Sequence, residues 1–159
     1  IDMGVHAIDT VRYLLGDPEP VRVYARLETV YGDYDVDDLG VVMIDWSDGT
    51  VSVIESGWWN PQMDGPEAST QLYGLTGYAR LFPTAVTRAI GGNPETETLP
   101  WPERAEHCDQ HMYTGQMEGF AQAARAGRQA VPGPAEGLAV MRICDAAYQS
   151  AAEGRSVDL

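Results

Sequence analysis

LGVVMIDWSDGTVSVIESGWW, residues 39–59, decides the fold class. The valine- and isoleucine-rich runs 39–46 and 50–59 have the composition and length of two β-strands. Between them, Ser47-Asp48-Gly49 forms a three-residue loop in which Gly49 supplies the positive φ that such a hairpin needs. A hairpin makes antiparallel pairs. Apolar residues stand on both faces around 41–46 and 51–59, so a sheet built on this hairpin has no plainly wet side.

The pattern extends in both directions. Upstream, Pro20 to Tyr31 alternates, with Val21, Val23, Ala25 and Leu27 on one face and Arg22, Tyr24, Arg26 and Glu28 on the other. That is a strand with one wetter side. The acidic run DYDVDD (33–38) connects it to the hairpin. Downstream, residues 68–82 form a shorter hairpin, ASTQLYG and YARLF around the turn LTG. Residues 83–110, rich in Pro, Gly and Thr, read mostly as loop, with one or two short strands at most.

Helices flank the strands. Residues 1–15 form the first, stopped by Gly16 and Asp17-Pro18. The second covers 111–126, where Tyr113, Met117, Phe120 and Ala124 recur at helical spacing and Gly127 ends the run. Pro134 opens the last, with Leu138, Met141 and Tyr148 on its expected buried side and Gly154 at its end. The closing SVDL reads as an edge strand or a frayed tail. One helix, about five strands and two helices predict an α+β domain over residues 1–159. Its sheet is a predominantly antiparallel open one, with helices packed on one face. The other face is free for oligomerisation, and a second copy of the chain is its expected cover.

Composition narrows the function. With 159 residues, 44% of them hydrophobic, the chain can bury a sizeable core. Its 24 Asp+Glu against 10 Lys+Arg leave a net charge of -14, which repels nucleic acid and anionic membranes alike. All ten basic residues are arginine, so no step carried by this chain uses a lysine. No stretch has the length and apolarity of a membrane span or of a secretory leader, and the reading is a cytoplasmic protein. Cys108 and Cys144 are too few for a disulfide framework.

Three clusters could carry chemistry. On the first helix Asp2, His6, Asp9 and Tyr13 fall within about 60° of arc, a narrow polar track on an otherwise apolar helix. Such a helix is expected to be buried, with its track satisfied by backbone, by partners or by a ligand. A carboxylate one turn from an imidazole is also a general acid–base unit. In GWWNP (57–61) the adjacent tryptophans point to opposite faces. One of them can stack on a sugar-like ring, and Trp59 and Asn60 then border a pocket. In HCDQH, His107 and His111 have helical metal-ligand spacing, but Cys108 points off their common face. No metal is expected there, and His111 near a pocket is the better reading. No G-x-G-x-x-G and no G-x-x-x-x-G-K-[ST] occurs, so the chain has no recognisable nucleotide cradle of its own.

DMGVHAIDTVRYLLG resembles the start of the C-terminal domain of the Gfo/Idh/MocA oxidoreductases, the glucose–fructose oxidoreductase and inositol dehydrogenase family. The pattern D-x-G-x-H-x-x-D, then a leucine-rich stretch and Gly, is matched by Asp2, Gly4, His6, Asp9, Leu14 and Gly16. VDDLGVVMIDWSDGTVSVIESGWW resembles the family's hairpin, and LYGLTGYARLF its following strand pair. EGLAVMRICDAAYQSAAEGRSVDL resembles its closing helix and tail, where A-x-x-S-x-x-x-G-x-x-V recurs. The four pieces stand in the family's order.

The resemblance implies a two-domain enzyme. An N-terminal Rossmann domain binds NAD or NADP, and a C-terminal sheet domain binds a sugar, cyclitol or related hydroxy compound and mediates homo-oligomerisation. It implies Asp2 and His6 as the catalytic pair, with His6 the acid or base at the substrate hydroxyl and Asp2 orienting. Asp9 and Tyr13 become supporting residues. The family's third catalytic residue, a lysine of an E-K-P segment, and the whole Rossmann half lie outside these 159 residues. Ile1 therefore falls at the expected domain junction, and this piece alone is expected to be inactive. The alternative is a non-catalytic relative that keeps the sheet as a binding and dimerisation module.

Overall fold

A computed structural model describes residues 3–57, 70–81, 84–90, 92–98 and 110–159. By its internal contacts the chain forms two compact units, residues 1–65 with 134–159, and residues 66–133.

In the first unit, helix α1 (Gly4–Leu14) precedes strands β1 (Pro20–Glu28), β2 (Leu39–Trp46) and β3 (Val51–Gly57); helix α3 (Pro134–Glu153) and the two-residue strand β8 (Val157–Asp158) close it. The sheet is antiparallel in the order β3-β2-β1-β8. Its central hairpin turns as its sequence predicts. Gly49 has φ +85°, its N–H donates to the Trp46 carbonyl at 3.0 Å, and the Trp46 N–H donates to the Thr50 carbonyl at 2.9 Å. The tail is an edge strand, and its Val157 is buried.

One face of this sheet is the core. Val23 and Ala25 of β1, Ile44 and Trp46 of β2 and Ile54 of β3 pack against Ile8 of α1 and Ile143 of α3. A fully buried side chain of this size contributes about 1.5–3 kcal/mol. Within the first unit, no described residue covers the opposite face. Its central row is Tyr24–Met43–Val53, paired directly across the three strands. Beside that row stand Arg26–Val41–Glu55 on one side and Arg22–Asp45–Val51 on the other. The apolar members are 41–66% exposed, so apolar residues stand on both faces of the sheet, as its sequence predicts.

The structure corrects two expected faces. Val21 is exposed rather than core, because the β1–β2 register shifts between Pro20 and Arg22 and turns it outward. On α3 the large residues Leu138, Met141 and Tyr148 are exposed. The buried stripe is Ala139, Val140, Ile143, Cys144, Ala146, Ala147 and Ser150. Small side chains let the helix backbone lie close on the sheet, and bulky ones on that stripe would hold it off.

The second unit holds a meander of β4 (Gln71–Gly74), β5 (Gly77–Arg80), β6 (Ala85–Ile90) and β7 (Asn93–Thr98), followed by helix α2 (Gln110–Arg125). Gly77 has to be glycine, since a Cβ there would meet the Thr87 carbonyl oxygen at 2.1 Å. The hairpin β6–β7, turning at Gly92 (φ +85°), occupies sequence expected to be mostly loop. Tyr113, Met117 and Phe120 of α2 are exposed, whereas Ala123 is buried. Among the described residues the fold is α+β with two antiparallel open sheets and three helices.

Candidate functional site

Helix α1 sets the geometry. Ile8 and Arg12 are buried, and Val5, Ala7, Val11 and Leu15 pack partly against the core. The helix ends on Gly16 (φ +84°) and Asp17 (φ +60°), where the buried Arg12 guanidinium donates to the Asp17 carboxylate at 3.0 Å. That contact anchors the C-terminal turn and with it the roll of the helix about its axis.

The polar track lies on the side turned away from the sheet. His6, two residues and about 200° around from Ile8, is exposed; Asp9 is half-buried and Tyr13 is 72% exposed. The track is therefore open, not enclosed as the near-uniform apolarity of the helix suggests. Most apolar residues of α1 seat it on the sheet, fully or in part, which leaves only the polar track turned outward. Asp2 lies outside the described residues, as do Trp59, Asn60, His107 and Cys108. His111 opens α2 in the second unit, exposed and engaged in an interaction of its own. Of the candidate residues, the structure thus brings together His6, Asp9 and Tyr13. No group of three His, Cys, Asp or Glu able to hold a metal ion occurs among the described residues. None of the described helices is long and apolar enough to cross a membrane.

Beneath the first turns of α1, on the core side, is a cavity of about 80 Å³. Met3, Val5 and Ile8 form its roof, Val42 and Ile54 its floor, and Cys144 and Tyr148 of α3 its far wall. Two carboxylates at its rim were not singled out by spacing or motif. Asp37 accepts a 2.6 Å hydrogen bond from the Tyr148 hydroxyl. Burial, and then this bond, push the Tyr148 phenol up to about 12. Asp38 gathers the β1–β2 loop, accepting from the Val30 and Tyr31 N–H groups at 2.7 Å each and from the Tyr34 hydroxyl at 2.8 Å. Burial acts to raise its pKa, but the hydrogen bonds outweigh it and leave the carboxyl below its ordinary value. Burial likewise pushes the Cys144 thiol up. The Tyr148–Asp37 bond ties this loop to α3.

The model of the GFO/IDH/MocA C-terminal domain matches residues 1–80, a segment containing α1 and the central hairpin. The chain belongs to the GFO/IDH/MocA family. Among its family relatives, D-apiose dehydrogenase of Rhizobium rhizogenes is 25% identical, over 99% of this chain and 48% of its own length. D-xylose 1-dehydrogenase (NADP(+)) 2 of Haloferax volcanii is 29% identical, over 100% of this chain and 47% of its own. Levoglucosan dehydrogenase, solved in complex with NADH, superposes with a TM-score of 0.79 at 25% identity, covering 97% of this chain and 48% of that one. The chain spans about half the length of the curated GFO/IDH/MocA relatives it matches.

Proposed function

We propose that residues 1–159 are the substrate-binding and oligomerisation domain of a cytoplasmic NAD(P)-dependent dehydrogenase acting on a sugar, cyclitol or related hydroxy compound. One observation carries the reading. His6 stands exposed on the outer side of a helix whose other side is locked into the core, within the segment that matches the family. Imidazole is suited to taking and returning a proton in neutral solution. His6 takes the proton from the substrate hydroxyl during oxidation and returns it during reduction. Asp2, one turn earlier, orients the imidazole and the substrate. Asp9 and Tyr13 continue the polar track as support, and Trp59, Asn60 and His111 contribute to substrate binding.

NAD or NADP, when bound, supplies the hydride acceptor or donor. The cavity of about 80 Å³ in the first unit is far below the several hundred Å³ that a ligand of nucleotide size needs. In this reading the dinucleotide is held by a further domain, and this chain presents His6 toward it. The uncovered sheet face takes a second copy of the chain.

The test is oxidation of aldoses and cyclitols with NAD or NADP by the complete gene product that carries these residues. His6→Gln is expected to lower kcat by about 10²–10⁴ with little change in KM. Undiminished turnover by that variant would overturn the role of His6. The 159-residue chain by itself is expected to show no micromolar affinity for NAD in calorimetric titration; binding there would place the dinucleotide on this chain.

A further inference from the structure

The uncovered sheet face carries its own charge pattern, and that pattern selects one way for two copies to meet. Arg26 and Glu55 stand at the two ends of one row, on β1 and β3, with Val41 of β2 between them. Both are exposed. In the next row Tyr24, Met43 and Val53 are all apolar along their stems.

Two sheets packed face to face lie about 10 Å apart, aligned within about 30° or near-orthogonal. Consider a two-fold axis running along β2, between the sheets. It sets β1 of each copy over β3 of the other and keeps every row over itself. Met43 then meets Met43, Tyr24 covers Val53, and Arg26 of each copy stands over Glu55 of the other. An axis across the strands instead lays Arg26 over Arg22, like charge on like. An orthogonal arrangement exchanges the partner of Glu55, bringing it to Arg22. Arg22 already bonds Asp158 of its own chain at 2.7 Å and is paired across the ladder with Asp45. Among the described residues Arg26 bonds Glu28 alone, two residues away at the exposed end of β1, and its five-donor fork has room for a second carboxylate.

Resting on the reading that a second copy covers this face, we propose that Arg26 and Glu55 form reciprocal ion pairs across that interface and fix its two-fold axis along β2. The pair sets orientation and selectivity, while the Tyr24–Met43–Val53 row supplies the apolar contact. A closed two-fold contact uses the same patch on both copies, and this patch is complementary to itself.

Sedimentation equilibrium on the 159-residue chain tests this with R26E, E55R, R26E/E55R and R22E/E55R. Each single swap at Arg26 or Glu55 is expected to weaken self-association about tenfold or more. R26E/E55R restores it to within about threefold of the unsubstituted chain, and R22E/E55R does not. Circular dichroism checks that each variant is folded. Rescue by R22E/E55R instead would replace the aligned geometry with the orthogonal one and overturn the proposal. Self-association unaffected by any swap would also overturn it, leaving the covered face intact. A chain that stays monomeric at hundreds of micromolar would remove the underlying reading as well.

Discussion

Ser150 is bonded to Ala25 across 125 residues of sequence. The Ala25 N–H donates to its hydroxyl at 2.9 Å, and the hydroxyl donates onward to the Arg155 carbonyl at 2.7 Å. Strand β8 is only two residues long, and its ladder on β1 ends at Val23. The next N–H on that side of β1 belongs to Ala25, and a fully buried serine meets it in place of a strand.

Ser150→Ala leaves the buried Ala25 N–H without this partner, so the expected loss is about 1–3 kcal/mol. Urea unfolding checks it: the midpoint falls while the slope is kept. An unchanged midpoint would show that water reaches this group.

Asp17→Asn separates charge from shape at the end of α1. Asn tolerates the φ of +60°, but it withdraws the carboxylate from a guanidinium whose side chain is only 8% exposed. Because Asp17 itself is half exposed, the expected cost is about 1–2 kcal/mol rather than that of a fully buried pair. The Arg12 Nε has no acceptor among the described residues, so Arg12→Met is expected to be nearly neutral. In that background Asp17→Asn should cost almost nothing, which a double-mutant cycle in urea would measure.

Asp38 makes the first unit acid-sensitive. Burial opposes its charge, but the bonds from Val30, Tyr31 and Tyr34 prevail, and its carboxyl titrates below the unfolded value of 3.8. A depressed carboxyl lends stability that is present above the unfolded pKa and lost as pH falls through the folded one. Unfolding followed from pH 5 downward should show this loss, and Asp38→Asn should flatten that limb while destabilising the protein at pH 7.

Tyr148 acts at the other end of the scale. Burial and the bond to Asp37 raise its phenol from 10.0 to about 12. The unfolded chain releases this proton first, so the stability it lends is whole below pH 10 and disappears as pH rises toward 12. Tyr148→Phe should lack that alkaline step. The absorbance of the tyrosinate ion gives an independent titration.

How far the sequence is legible depends on which interaction forms each element. The hairpin 39–57 is written in adjacent residues, with β-branched runs on either side of a glycine that alone suits φ +85°. The A-x-x-S-x-x-x-G-x-x-V tail is legible as a pattern, and the structure explains it: Ala147 packs, Ser150 clamps, Gly154 turns at φ +66°, and Val157 is buried. Strand β7 is not legible. Asn-Pro-Glu-Thr-Glu-Thr is exposed throughout and has no apolar alternation, and its ladder to β6 forms it instead. The seating of α3 is not legible from side-chain size, because close approach to the sheet selects alanines on the buried stripe while Leu138, Met141 and Tyr148 stand exposed. At the candidate site, the motif singles out His6, but no spacing rule connects Tyr148 to Asp37, 111 residues away.

The connectivity of the first unit also dictates an order of birth. A ribosome releases β1, β2 and β3, then the whole of residues 66–133, and only afterwards the helix and edge strand that roof the inner face of the sheet. Until then Val23, Ile44 and Ile54 have α1 but no α3 to lie against, and the nascent chain carries a half-covered apolar sheet through the synthesis of an entire inserted unit. The later-made α3 is therefore what completes the cover over strands made before the inserted unit. A stalled or clipped message that ends before Ser150 would yield not a shorter domain but a substrate for chaperones and proteases.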